Sequence, residues 1–252
     1  MLSWLRRPRV QLAEPLASVV RTWRDCPPPD EDASPAQTRF VVVDTETTGL
    51  DPQRAEPLSI GACSVVSGAI DLSSSCHVGL RPSGPSETGN VLVHRIGHGA
   101  QSEGLPVAEA MAQWLAYAGR PVFVGFHARY DATILARAAR RALGIDLPMD
   151  WLDVGLLLQA ALPEVGPTHP DLDFWAGHFG IGTRARHSAL EDAYVTATLF
   201  LAVLGLAAPA HRRTAVLGGF GQAGIPRRSA GRGPEHLRHR LYHVGDAGAD
   251  HG

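Results

Sequence analysis

The strongest structural signal in this sequence is the run Phe40-Val41-Val42-Val43-Asp44-Thr45-Glu46-Thr47-Thr48-Gly49-Leu50. Its first half is rich in valine, a β-branched residue, and predicts a buried strand. Because strand side chains alternate between faces, Asp44 and Glu46 are expected to point the same way. Two like charges side by side repel each other, and a divalent cation held by oxygen ligands is a common way to offset that repulsion. The alternative is a strand end with two solvated acids, followed by a turn at Thr48-Gly49.

Length and composition indicate one sizeable α/β domain with extensions. The chain has 252 residues, of which 44% are hydrophobic and 19% charged, and its formal net charge is -2. These values are ordinary for a globular protein. No apolar run approaches the roughly 18 residues that cross a bilayer, and the start lacks a signal core, so a cytoplasmic protein without a membrane partner is expected. Cys26, Cys63 and Cys76 are interpreted as free thiols because they are too scattered for a disulfide framework or a zinc site.

Three regions are expected along the chain. Residues 1–38 are predicted to be a helical extension and linker, with apolar residues at helical spacing from Leu12 to Trp23 before a proline-rich segment. Residues 39–206 are predicted to form the core domain. Residues 207–252 are rich in arginine, glycine and histidine and are expected to form a mobile tail.

Within the core, periodicity predicts an α/β alternation of strands and helices. The predicted strands cover residues 40–45, 58–66, 76–80 and 121–126, and the predicted helices cover residues 107–117, 132–143 and 172–179 and a segment from 189 onward. Gly144 and Gly205 are the expected stops of two of these helices. Ser188-Ala189-Leu190-Glu191 is a capping box at the start of the last helix.

Three further polar residues stand at the boundaries of predicted elements. Asp131 follows a strand and opens the next helix, His187 precedes the capped helix, and Asp192 lies one turn into it. Each has a simpler interpretation: a helix N-cap for Asp131, a solvated loop histidine for His187, and a partner of the helix dipole for Asp192. Together with Asp44 and Glu46, however, they could converge at the carboxyl edge of a sheet, where open α/β folds place their sites.

These motifs give the chain a resemblance to the DEDDh 3′–5′ exonucleases, the family of the proofreading epsilon subunit of bacterial DNA polymerase III. The matching segments are residues 44–50, then Gly125-Phe126-His127-Ala128-Arg129-Tyr130-Asp131, and finally Arg186-His187-Ser188-Ala189-Leu190-Glu191-Asp192-Ala193. The resemblance covers about residues 39–206 and implies a ribonuclease H-like exonuclease fold, with a central mixed β-sheet flanked by α-helices. The second motif normally reads Gly/Ala-His-Asn-x-x-Phe-Asp, so Phe126 and His127 depart from it. All five catalytic groups of the family are nevertheless present.

The resemblance also implies a role for each catalytic group. Asp44, Glu46, Asp131 and Asp192 would bind two divalent ions, Mg²⁺ or Mn²⁺. Asp44 would bridge both ions, Glu46 and Asp192 would complete the site of the ion that carries the attacking water, and Asp131 would hold the other ion through water. His187 would be the general base, because an unperturbed imidazole with a pKa of about 6.5 can accept a proton near neutral pH.

The four residues that follow the predicted strand, Thr47 to Leu50, are expected to contact the substrate. In the family, residues at the positions of Thr47, Thr48, Gly49 and Leu50 contact the 3′-terminal nucleotide, and the apolar residue at the Leu50 position packs on its base. Leu50 could instead pack in the core. Phe126 could line the nucleotide pocket or belong to the core.

The function predicted from these residues is metal-dependent 3′–5′ exonuclease action on single-stranded DNA ends, in proofreading or repair. An exoribonuclease or oligoribonuclease of the same fold is an alternative, because discrimination between sugars depends on the shape around the 3′ nucleotide. An alternative of another class is a non-catalytic nucleic-acid or polymerase-binding module. Gln11-Leu12-Ala13-Glu14-Pro15-Leu16 loosely resembles peptides that bind the bacterial sliding clamp, so a polymerase or clamp is a candidate partner. The arginine-rich tail could contact phosphates.

Overall fold

The computed structural model describes residues 10–81, 104–149, 151–165, 170–182 and 188–207. The strands in these residues are β1 (Phe40–Thr47), β2 (Pro57–Val66), β3 (Ala69–Gly79), β4 (Val122–Gly125) and β5 (Leu152–Asp153). The helices are α1 (Leu16–Asp25), α2 (Val107–Ala118), α3 (Ala128–Leu143), α4 (Val154–Ala161), α5 (Leu172–His178) and α6 (Ala189–Ala207). His187 and residues 208–252 of the predicted tail lie outside the described residues.

Strand β1 lies at the centre of one mixed sheet with the strand order β3-β2-β1-β4-β5. It pairs antiparallel with β2 and parallel with β4. Strand β3 extends the antiparallel side, and β5 extends the parallel side. Helices cover both faces of this sheet, which confirms the predicted α/β class with a central mixed sheet flanked by helices.

Two hydrophobic clusters occupy the two faces of the sheet. Val41 and Val43 of β1 belong to the cluster that includes residues of α1, α2 and α3. Phe40 and Val42 belong to the cluster that includes residues of α4, α5 and α6. Because side chains alternate along a strand, odd-numbered residues of β1 face α3 and even-numbered residues face α6.

Strand β3 begins at Ala69, whereas the sequence predicted a strand from Cys76 onward. A two-residue turn at Ser67 and Gly68 joins it to β2, and both residues have positive φ, 53° and 76°. Such turns match the twist of a β-hairpin. The first half of β3 is half-buried or exposed: Ile70 and Leu72 alternate with Asp71 and Ser73, but Leu72 is 77% exposed and Ser74 interrupts the alternation before Cys76. The Ser-Gly dipeptide is the sequence signal that indicates this hairpin.

Helix α3 begins at Ala128, four residues before the predicted start at Ala132. Asp131 therefore lies in the first turn of the helix and is not its N-cap. The N-cap position is His127, whose backbone is left-handed, with φ 54° and ψ 44°. The backbone N–H of Ala128 donates to the Oδ2 atom of Asp153 at 3.0 Å. A residue of β5 thus caps α3, and this long-range contact leaves no local signal in the sequence.

Helix α6 continues past Gly205, the predicted stop, and is described as far as Ala207. Its first residue is Ala189, so Ser188 stands at the predicted N-cap position, and the Ser188 carbonyl accepts from the Asp192 N–H at 2.9 Å. By length and composition α6 could cross a membrane, with a mean hydropathy of 1.5 in its most apolar window. However, 61% of that window is buried inside the protein, as expected of a core helix.

The remaining predicted elements are confirmed with small shifts of their ends. The helix predicted near the N-terminus is α1, the one predicted from residue 107 is α2, and the one predicted from residue 172 is α5. Gly144 ends α3 in the left-handed conformation, as expected. The three cysteines are free, as predicted, and burial raises the pKa of Cys63 to about 12 and that of Cys76 to about 11.

Helix α1 packs across the C-terminal ends of α2 and α3. The indole N–H of Trp23 donates to the carbonyl of Gly119 at 2.6 Å, and the guanidinium of Arg24 donates to the carbonyl of Gly144 at 3.0 Å. Arg120 stacks on the Trp23 ring, with 5.3 Å between its guanidinium carbon and the ring centroid. Gly119 and Gly144 cap α2 and α3, so α1 provides donors for carbonyls that a helix end leaves without intrahelical partners.

Candidate active site

Three carboxylates meet at the C-terminal end of β1. Asp44, Glu46 and Asp192 each contribute one oxygen atom, and these atoms all lie within 4.8 Å of one another. Asp44 and Glu46 are two residues apart on β1 and both face α6, while Asp192 belongs to the first turn of α6. Glu46 and Asp192 are buried, and Asp44 is half-buried. The structure thus brings together three of the four predicted metal ligands.

The close approach of α6 to the sheet depends on Gly61 of β2, which pairs directly with Asp44. A Cβ atom added to Gly61 would lie 2.1 Å from the carbonyl carbon of Ala189 and 2.2 Å from the nitrogen of Leu190. Both atoms are backbone atoms, which cannot move aside as the end of a flexible side chain can. Only glycine therefore allows the first turn of α6 to rest on the sheet beside Asp44.

The combined negative charge of these three carboxylates favours a bound cation. Two unit charges 4 Å apart repel by about 4 kcal/mol at an effective dielectric constant of 20. Hard divalent ions prefer oxygen ligands, whereas softer metals prefer sulfur and imidazole. An all-carboxylate donor set at this spacing therefore fits a hard divalent ion such as Mg²⁺ or Mn²⁺.

Asp131, the fourth predicted ligand, approaches β1 from the α3 side. Its side chain is buried, and the hydroxyl of Thr45 donates to its Oδ1 atom at 2.6 Å. The pKa of Asp131 is raised to about 7, chiefly by burial, while the hydrogen bonds with Thr45 act in the opposite direction. Asp131 does not belong to the group of three carboxylates, and its part in metal binding stays a prediction.

The β1–β2 loop, residues 48–56, is closed by hydrogen bonds at its base. The Thr48 N–H donates to the Glu56 carbonyl at 2.9 Å, and the Glu56 N–H donates to the Thr48 hydroxyl at 2.9 Å. From α3, the guanidinium of Arg137 donates to two of the loop's carbonyls at 2.5 and 3.0 Å. These contacts fix both ends of the loop to the body of the protein.

Leu50 projects from this loop and is 89% exposed, so it does not pack in the core. Beside it, three oxygen atoms meet, from the Thr47 hydroxyl, the Tyr130 hydroxyl and the Gly49 carbonyl. The Thr47 hydroxyl lies 2.7 Å from the Tyr130 hydroxyl and 3.0 Å from the Gly49 carbonyl, and Tyr130 also contacts that carbonyl. The predicted contacts of Thr47, Thr48, Gly49 and Leu50 with a nucleotide stay predictions.

The other predicted functional residues are Phe126, His187 and the residues of the candidate clamp-binding peptide. Phe126 is buried in the hydrophobic cluster on the α6 face, with its ring edge-on to His127 at 4.7 Å between centroids. A role for Phe126 in a nucleotide pocket stays a prediction, as does the role of His187, which lies outside the described residues. Leu12 and Leu16, in the candidate clamp-binding peptide, pack against the cluster on the α3 face.

Four residues that shape this site were not among the predicted site residues. Gly61 admits α6, Asp153 caps α3, and Thr45 and Tyr130 connect β1 to α3. Gly61 left a usable signal, because a glycine inside a strand often marks a close backbone approach. Thr45 and Tyr130 left none, because their partners are 86 and 83 residues away in sequence.

Two DNA polymerase III proteins are among the relatives of this chain. The PolC-type DNA polymerase III of Thermotoga petrophila is 29% identical over 170 residues, which are 68% of this chain and 12% of that protein. The DNA polymerase III epsilon subunit of Aquifex aeolicus is 27% identical over 171 residues, which are 66% of this chain and 80% of that protein. The chain therefore spans only a small part of the PolC-type relative and most of the epsilon subunit.

Solved exonuclease structures share this fold, and a family model covers most of the domain. Escherichia coli exonuclease I in complex with a dT13 oligonucleotide has a TM-score of 0.56 and 19% identity, over 73% of this chain and 43% of that chain. Exonuclease X in complex with 5′ overhanging duplex DNA has a TM-score of 0.53 and 20% identity, over 70% of this chain and 98% of that chain. The RNase T model, described as exonuclease, matches residues 41–200, more than half of the chain. The chain belongs to this exonuclease family, as the resemblance of its motifs predicted.

Proposed function

We propose that this protein is a metal-dependent 3′–5′ exonuclease that removes nucleotides from single-stranded DNA ends in the cytoplasm, in proofreading or repair. The observation that carries the proposal is the group of three carboxylates between β1 and α6. DNA is favoured as substrate because the relatives are named as DNA polymerase III proteins and a structural neighbour holds an oligothymidylate. The chain spans only 12% of the PolC-type relative, so the polymerase activity of that relative is not assigned to this chain, and a polymerase partner stays a prediction.

Asp44, Glu46, Asp131 and Asp192 would hold two divalent ions. Bound ions of this kind would polarise the scissile phosphodiester and offset the negative charge that develops on its oxygens. Strand β1 presents Asp44 and Glu46 on one face, and α6 adds Asp192 beside them. Asp131, on the α3 side of β1, would contribute the fourth carboxylate. The chain's own part is therefore to fix four carboxylates in place before the substrate arrives.

His187 would take the proton of the attacking water on a ring nitrogen. An unperturbed imidazole has a pKa of about 6.5, so its neutral form is available near pH 7. The variant His187→Ala should lose most turnover while its circular dichroism spectrum is unchanged. Hydrolysis at the wild-type rate by this variant would exclude the role.

The β1–β2 loop would receive the terminal nucleotide. Leu50 is a large apolar side chain with 89% of its surface exposed, on a loop that is hydrogen-bonded at its base. Apolar and aromatic surfaces accept any base by stacking, which suits an enzyme that removes every nucleotide in turn. Thr47, Thr48 and Gly49 would supply polar groups to the same nucleotide.

The test is a gel assay of purified protein with Mg²⁺ or Mn²⁺ on single-stranded DNA and RNA oligonucleotides of one sequence, labelled at either end. A 5′ label should give a ladder of stepwise shorter products, and a 3′ label should be released at once as a mononucleotide. Chelation by EDTA should stop both reactions. A ladder from the 3′-labelled strand instead would contradict the direction, and faster shortening of RNA than of DNA would favour the exoribonuclease.

A further inference from the structure

We propose that Tyr130 is a positioning residue for the β1–β2 loop, and that its hydroxyl group sets how tightly the terminal nucleotide is held. The inference rests on the proposed function in one respect, namely that this loop receives the nucleotide. It goes further because it assigns control of substrate affinity to one phenol hydroxyl on α3, outside the group of carboxylates.

The hydrogen-bonding capacity of the three oxygens explains why the Tyr130 hydroxyl matters. Tyr130 and Thr47 have one hydroxyl hydrogen each, and the Gly49 carbonyl has none, so three oxygen contacts share two hydrogens. The arrangement that satisfies all three atoms is a chain in which one hydroxyl donates to the other, and the second donates to the carbonyl. Without the Tyr130 hydroxyl, Thr47 keeps only its 3.0 Å contact with Gly49.

Helix α3 holds the β1–β2 loop at two places. Tyr130 contacts Gly49, directly before the exposed Leu50, and Arg137 contacts carbonyls in the second half of the loop. Tyr130 and Arg137 are seven residues apart, about two helical turns, so they lie on the same side of α3. Tyr130 is therefore the contact nearest to the surface that would receive the base. A loop that is already ordered loses less conformational entropy on binding, so loosening this contact weakens binding.

The ring and the hydroxyl of Tyr130 can be separated by mutation. The second family motif has phenylalanine at this position, so a ring without the hydroxyl is compatible with the fold. The hydroxyl is bonded to Thr47 and Gly49, whereas Asp44 and Glu46 lie on the other face of β1. Tyr130→Phe should therefore change substrate binding and leave the chemistry intact. Such a loss raises KM without lowering kcat.

Tyr117 provides a matched control at the other end of β1. It is also half-buried, and its hydroxyl lies 3.0 Å from the Ser64 hydroxyl and 3.1 Å from the Ser74 carbonyl. Arg39, directly before β1, packs on its ring. Tyr117→Phe thus removes a hydroxyl with similar surroundings far from the β1–β2 loop.

The experiment measures steady-state hydrolysis of a single-stranded DNA oligonucleotide and hydrogen exchange of the amides of residues 48–56 in both variants. Tyr130→Phe is expected to raise KM about fivefold, because the variant loses one hydrogen bond that orders the loop. Its kcat should stay within about twofold of wild type. The same variant should exchange the loop amides faster. Tyr117→Phe should leave KM, kcat and loop exchange unchanged.

Other outcomes separate this inference from the proposed function. If Tyr130→Phe has the KM of wild type, or if both variants raise KM equally, the inference is wrong while the exonuclease assignment stands. A fall in kcat with unchanged KM would also overturn it, because the hydroxyl would then act on the chemistry. If the wild-type protein shows no hydrolysis from 3′ ends, the proposed function fails, and the inference fails with it.

Discussion

The two faces of β1 carry different chemistry over four consecutive residues. On the face toward α6, Asp44 and Glu46 meet a third carboxylate within 4.8 Å. On the face toward α3, Thr45 and Thr47 form hydrogen bonds of 2.6 and 2.7 Å with side chains of that helix. We refer to the first as the carboxylate face and to the second as the hydroxyl face. The alternation of a strand thus separates a group that gathers charge from a network that fixes the backbone beside it.

This division predicts different consequences for substitutions that are one residue apart. Changes on the carboxylate face should alter metal binding and turnover, because that face brings three negatively charged side chains together. Changes at Thr47 and Tyr130 on the hydroxyl face should alter the position of the loop, whereas Thr45 contacts Asp131, a proposed metal ligand, and is left out of this comparison. A substitution on one face that produced the effect expected of the other would break this comparison.

The largest effect is expected from Asp44→Asn, which removes one charge from the carboxylate face. Turnover should fall by at least about 10³-fold, because metal ions supply several kcal/mol of transition-state stabilisation. Without metal the variant should be no less stable than wild type, since one repulsive charge is gone. The measurement is kcat at saturating Mn²⁺ together with urea unfolding in EDTA. Asp25→Asn, an exposed carboxylate on α1, is the control and should keep full turnover.

The next effect concerns the contact that brings α6 to the carboxylate face. Gly61→Ala would place a methyl group 2.1 Å from the Ala189 backbone and should lower the free energy of unfolding by about 3 kcal/mol. Turnover should fall too, because α6 carries Asp192. Gly177→Ala, in α5 with open space around it, should instead raise stability by roughly 0.5–1 kcal/mol. Equal urea midpoints for the two variants would show that α6 is not held by this contact.

Metal binding should stabilise the fold through the carboxylate face. A Mg²⁺ or Mn²⁺ concentration one hundred times the dissociation constant adds about 2.7 kcal/mol to the free energy of unfolding. For a chain of this size that corresponds to a rise in Tm of roughly 5–10 °C. Thermal unfolding with and without metal measures this rise, which Asp44→Asn should abolish and Tyr130→Phe should preserve. A rise that persists in Asp44→Asn would place the ion elsewhere.

The smallest effect is expected at the start of α3, beside the hydroxyl face. His127 has φ of 54°, a conformation that β-branched residues avoid and that asparagine adopts more readily. His127→Val should therefore lower the free energy of unfolding by about 1 kcal/mol, whereas His127→Asn should preserve it. Asparagine, the residue of the family motif at this position, is compatible with this geometry. Urea unfolding distinguishes the two variants, and equal loss in both would rule out the backbone as the cause.

Much of the carboxylate face could be predicted from the sequence, because local rules determine it. The two-residue spacing of Asp44 and Glu46 places them on one face of a strand, and the capping box places Asp192 in the first turn of α6. The resemblance to a known family then linked these separate segments. The docking of α6 on Gly61 could not be predicted, because it depends on two backbones that meet only in the folded protein.

Little of the hydroxyl face could be predicted from the sequence. The start of α3 is fixed by Asp153, and Tyr130 reaches its partner from a helix 83 residues further along the chain. The family motif has phenylalanine at the position of Tyr130, so the motif predicts no role for the Tyr130 hydroxyl. The hairpin between β2 and β3 was missed for a different reason, because Ser74 interrupts the alternation of apolar residues along β3 and only its second half was recognised.

Helix α1 bears on where an N-terminally truncated form of this protein should begin. The family match begins at residue 41, which suggests a fragment that starts there. Such a fragment would lack the indole and guanidinium donors that bond to the carbonyls of Gly119 and Gly144, and it would expose the helix surface that Trp23 covers. A fragment that keeps these contacts therefore begins before α1, so its N-terminal limit follows from packing and not from the limits of homology.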